Sequence, residues 1–119
     1  MPNTIAQDED LADRLRDALE GLQGISEKRM MGGICFLLDG NMLGGVNRNK
    51  TTGAGHYMFR IGKEHEADGA ARPEAEPVVM GGRRMGGMFY VAEDACSDAV
   101  LKDWVELSLR FVGSLPAKG

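Results

Sequence analysis

The stretch ICFLLDGNMLGGV, Ile34 to Val46, limits what this chain can fold into more than any other part of it. Asp followed by Gly is the pair that accepts the two successive left-handed conformations of a two-residue hairpin, and here Asp39-Gly40 separates two apolar runs. An antiparallel hairpin is therefore expected, and its apolar side needs a surface to cover it. Two helical periodicities can supply one. Asp8 is placed to cap EDLADRLRDALEGL, in which Leu11, Leu15, Ala18, Leu19 and Leu22 recur on one face. Near the other end Ser97 is a candidate cap for a second helix. Its stripe of Leu101, Trp104, Val105, Phe111, Val112 and Leu115 is interrupted by the small Ser108 and stopped by Pro116.

The residues between these helices read as strands and turns. YMFRI alternates Tyr57, Phe59 and Ile61 against Met58 and Arg60, PVVM and GMFYV flank a turn through Gly81-Gly82-Arg83-Arg84, and KEHEADGAAR suits a short, weak helix before Pro73. NRNKTTGAGH, 47–56, is polar and punctuated by glycine, and is expected to be a flexible loop. The order α-β-β-β-α-β-β-α implies an α+β fold of two layers, a five-stranded antiparallel sheet with helices packed on one face. At 119 residues, 43% of them apolar, one core is affordable without disulfides or metals. A single domain over 1–119 follows, with 1–7 disordered and 116–119 a tail.

Charge and cysteine usage exclude several function classes. Eighteen acidic against fourteen basic side chains give a net charge of -4, which disfavours a phosphate backbone, so direct nucleic-acid binding is not expected. Cys35 and Cys96 have no CxxC spacing and read as reduced, buried thiols. No apolar run is long enough for a membrane span, MPNTIAQDED lacks the features of a signal peptide, and a cytoplasmic location is expected.

The glycine pairs are the first candidates for a site. RMMGGICFLLD from Arg29 and RRMGGMFYVAE from Arg83 echo one another, each placing Met-Gly-Gly at the apparent entrance to a strand. Paired loops binding a ligand would use such a repeat, but both pairs lead into strands. A Rossmann or P-loop cradle needs a helix N-terminus there, and neither motif string is present. Gly32, Gly33, Asp39, Gly40, Gly86 and Gly87 are accordingly read as residues that shape turns and bulges.

Reactive side chains give little more. Cys35 sits in the most apolar run, Cys96 has no nearby His, and His56 and His65 lie in polar stretches. Adjacent Glu64, His65, Glu66 and Asp68 point to different sides of a helix rather than to one metal. No catalytic residue, metal ligand or cofactor is expected. Arg29, Arg60, Arg83 and Arg84 are the candidate interaction or anion-binding residues, since guanidinium forks suit carboxylates, phosphates and partner surfaces. The alternative for Arg29 and Arg83 is bonding to turn carbonyls, or pairing with Asp39 and Glu93. Met30, Met31, Met42, Met80, Met85 and Met88 gather around the sheet, suiting either adaptive core packing or a contact surface.

RMMGGICFLLDGNMLGGV, YMFRIG, GGRRMGGMFYV and a closing helix ending FVGSLPAK together resemble the TfoX N-terminal domain family, bacterial regulators associated with competence. The residues that carry the likeness are Arg29, Gly32-Gly33, Asp39-Gly40, Met42, Tyr57, Arg60, Gly82-Arg83, Met85, Gly87 and Val91. The resemblance implies an antiparallel α/β domain similar to secretion chaperones, used as a regulatory or interaction module, with no catalytic residues to carry over. Longer family members carry a second domain, and this chain is read as a stand-alone N-domain.

These readings converge on a non-enzymatic, cytoplasmic protein-interaction module that forms a homodimer, has an unknown protein partner, and touches no membrane. The alternative is a small-anion-binding domain or enzyme in which Arg29, Arg60 and Arg83 share a pocket.

Overall fold

A computed structural model describes residues 8–30, 32–49 and 51–117. The expected α+β architecture is present, with one antiparallel sheet and, among the described residues, three α-helices. In chain order the elements are α1 (Glu9–Ala18), β1 (Ile25–Met30), β2 (Gly33–Leu38), β3 (Asn41–Arg48), β4 (Gly55–Arg60), α2 (Glu66–Ala70), β5 (Glu76–Met80), β6 (Arg83–Ala92) and α3 (Asp98–Val112). The sheet has six strands in the order β1-β2-β3-β4-β6-β5, one more than the five expected. The additional strand is β1, ISEKRM. It forms an edge with nearly every residue exposed, so no apolar alternation marks it.

The β2-β3 hairpin turns through Asp39 and Gly40, with φ of 51° and 84° as the Asp-Gly pair demands. The polar segment at 47–56 is shorter as a loop than expected. Asn47 pairs with His56 and Arg48 with Gly55, leaving 49 and 51–54, among the described residues, as the tip. Polar residues at the exposed end of a hairpin carry no alternation, which hid these strand ends. Arg48 anchors them by ion pairs to Asp10 of α1 at 2.9 Å and to Glu93 at 3.0 Å.

The described helices lie on one face of the sheet. Ile34, Phe36, Val46, Tyr57, Phe59, Phe89 and Val91 point from the strands toward Leu11 and Leu15 of α1 and Leu101, Trp104 and Val105 of α3. Trp104 is central. Its ring lies 5.6 Å from both Phe59 and Phe89, its indole N–H donates to Glu74 at 2.8 Å, and Arg72 stacks over it while pairing with Asp103. Ser97 caps α3 as expected, accepting from the Val100 N–H, and Ser108, the small residue that interrupts the stripe, is fully buried. The first helix is shorter than its periodicity suggested. It ends at Ala18, Leu19 remains buried, and Leu22 is exposed on the connection to β1.

The two Met-Gly-Gly segments are not equivalent. Gly32 (φ 77°) lies in the β1-β2 connection and Gly33 opens β2, whereas Gly86-Gly87 falls inside β6, not at a strand entrance. There β6 carries extra residues relative to β5, since Pro77 pairs with Phe89 but Val79 pairs with Arg84. Gly87 (φ 75°) accepts from the Ile61 and Gly62 N–H groups and donates to Glu66, locking α2 to the end of β4. The expectations for residues 1–7 and for Met31 lie outside the described residues.

Candidate functional site

The face of the sheet opposite the helices is built by the residues that alternate with the core. One register row crosses all six strands, running Lys28, Cys35, Gly45, Met58, Tyr90, Glu76. The next row contains Met30, Gly33, Asn47 and His56. Because Gly33 and Gly45 project no side chain, the surface dips into a concavity of about 240 Å³. Met30, Cys35, Met58, Met80 and Tyr90 line it, with Asn47 and His56 as polar members. A Cβ at Gly45 would come within 2.9 Å of the Ile34 carbonyl oxygen, so the dip is fixed by backbone packing.

Local electrostatics favour the neutral forms of its cysteine and histidine. Burial pushes the Cys35 thiol above its ordinary value, which suits a packing role rather than a nucleophile. His56 sits edge-on to Tyr90 with ring centroids 4.7 Å apart. Burial holds its imidazole below the usual value, opposed by the Glu76 carboxylate, so the ring is neutral at pH 7. The other cysteine is on the helical side, where burial raises the Cys96 thiol to about 11.

None of the four candidate arginines lines this concavity, and they do not converge on one pocket. Arg29 shares a register row with Tyr57 at one end of the sheet, whereas Arg60 closes β4 at the opposite end, three strands and three residues away or about 17 Å. Arg29 binds the buried Asp8 carboxylate at 2.9 Å, in place of the Asp39 pairing considered from sequence. Asp8 makes no side-chain cap to α1, its carboxylate being turned to Arg29 instead. Arg60 donates to the Met42 carbonyl at 3.3 Å and lies over the Phe111 ring. Arg83 is exposed at the start of β6, while Glu93, its possible partner, is engaged by Arg48. Arg84 approaches Glu66 at 3.4 Å.

Several residues that define the surface escaped sequence reasoning. Met58, His56 and Tyr90 were visible as members of strands or loops, but nothing in the sequence says that their side of the sheet lies opposite the described helices. A usable signal was the methionine on the polar side of YMFRI, since a solvated face has no need of one. Among the described residues no three His, Cys, Asp or Glu side chains come together as a metal-binding group, and no helix is long and apolar enough to cross a membrane.

Comparison with protein families finds the TfoX N-terminal domain, whose family model matches residues 17–112, from the end of α1 through α3. No curated protein and no solved structure gives a significant match.

Proposed function

Since the chain belongs to the TfoX N-terminal domain family, we propose that it is a regulatory, non-enzymatic module that binds protein through the face of its sheet opposite the described helices. The observation that carries this reading is the concavity lined by Met30, Cys35, Met58, Met80 and Tyr90, on a sheet whose other face is fully packed. Unbranched, polarizable methionines adapt to a partner's contour, and a sheet face of this composition gains from being covered. Arg14, Arg16, Arg29, Arg48 and Arg72 each hold a carboxylate of the same chain, which favours structural roles for them over capture of a free anion.

The experiment is site-specific photocrosslinking in the native cell. A photoreactive residue at Met30 or Tyr90 is expected to give a discrete adduct, and one at Lys102 in the helical layer none. Adducts from Lys102 alone, or none from either sheet position, would remove the reading.

A further inference from the structure

The row Lys28, Cys35, Gly45, Met58, Tyr90, Glu76 is ordered by charge and by size. It begins with an exposed cation on the β1 edge and ends with an exposed anion on the β5 edge. Small residues occupy β2 and β3, and large ones occupy β4 and β6.

Consider two such faces related by a two-fold axis that lies between them, parallel to the strands. The first strand in sheet order then meets the sixth of the other copy, the second meets the fifth, and the third meets the fourth. Lys28 faces Glu76 of the second copy, Cys35 faces its Tyr90, and Gly45 faces its Met58. Each contact sets opposite charge against charge or small against large, and symmetry repeats it. In the adjacent row the same axis brings Asn47 opposite His56 of the second copy. The alternative in-plane axis, perpendicular to the strands, sets Lys28 against Lys28 and Glu76 against Glu76, so the charges discriminate between the two arrangements.

Resting on the reading of this face as an interaction surface, we infer that its occupant is a second copy of this chain, packed sheet to sheet with β1 over β5 of the other copy. Strands about 4.8 Å apart and rows about 3.3 Å apart give a face of roughly 500 Å² per copy. The total of about 1,000 Å² is at the lower limit for a specific interface, so the dimer is a weak, concentration-dependent one.

The test is a charge swap read by sedimentation equilibrium of the full chain over a dilution series at low salt. Lys28→Glu and Glu76→Lys each create like-charge pairs at both ends of the interface and are expected to raise the dimer dissociation constant about tenfold. The double variant restores the pairs and is expected to return to within about threefold of the unaltered protein. Both side chains are exposed, and circular dichroism checks that each monomer stays folded.

A protein that is monomeric throughout the series, or a dimer indifferent to both single changes, overturns the second copy as occupant. Weakening by the single changes without recovery in the double variant overturns the β1-over-β5 geometry. Neither result touches the broader reading, which stands or falls on the crosslinks from Met30 and Tyr90: adducts of other mass there, with a monomeric protein, would mean a different protein partner.

Discussion

Met58 and Phe59 are neighbours on β4, yet they face opposite sides of one sheet and meet different surroundings. Phe59 is sealed between Tyr57 and Trp104 beneath two helices, whereas Met58 lines the concavity on the opposite face. Both are buried, at 1% and 8% exposure, so burial alone does not distinguish a finished core from a surface awaiting a partner. What differs is the covering layer. A helix layer closes one face and fixes its shape, while the other is shaped by missing side chains at Gly33 and Gly45.

The largest effect that can break this comparison is the paired truncation. Phe59→Ala removes a ring from a closed core and is expected to cost about 3–5 kcal/mol in urea unfolding; Met58→Ala should cost less than half of that, because its void opens to solvent. Equal losses at dilution would mean that the open face is a second closed core. The same contrast can be sharpened on β3. A Cβ at Gly44 would run into the Met58 carbonyl, while one at Gly45 meets the Ile34 carbonyl oxygen at 2.9 Å. Gly44→Ala is expected to lose about 2–3 kcal/mol and Gly45→Ala about 1 kcal/mol, measured by the same unfolding curves.

A smaller effect belongs to the rim of the helical face. Arg29→Ala leaves the buried Asp8 carboxylate without its guanidinium and should cost about 1 kcal/mol, a fall in melting temperature of about 4–8 °C. Asp8→Asn should match it. A stable Arg29→Ala protein would free this arginine for the ligand role weighed from sequence.

The smallest effect is on the open face and depends on pH. The unfolded chain takes up a proton at the ordinary histidine value of 6.5, whereas folded His56 resists protonation until lower pH. Its contribution is therefore fully present above about pH 6.5 and declines as pH falls from there to the depressed folded value. His56→Gln should flatten that part of the stability profile, and an unchanged slope would place His56 in solvent.

Much of the helical face was legible in the sequence. Leu11 and Leu15 at helical spacing, Tyr57 and Phe59 at strand spacing, Ser97 as a cap and Asp39-Gly40 as a turn all announce local geometry, because each property is set by residues a few positions apart. The open face was far less legible. Cys35, Met58 and Tyr90 come from strands widely separated in the chain, and only register makes them a row. β1 was missed for a related reason: an edge strand exposed on both sides has no apolar pattern to read. The glycine pairs were understood as backbone devices, but Gly87 needed the tertiary structure to reveal what its bulge holds, namely Glu66 and the end of β4.

The sequence by itself determined the class of fold, the hairpin turn, the two main amphipathic helices and the family, since these depend on short-range stereochemistry and on patterns within single elements. Tertiary structure alone decided that Arg29 serves Asp8, that Arg29 and Arg60 lie apart, and that the described helices cover the same sheet face. Those outcomes follow from how strands order themselves laterally, and lateral order is fixed by long-range packing that no local periodicity encodes.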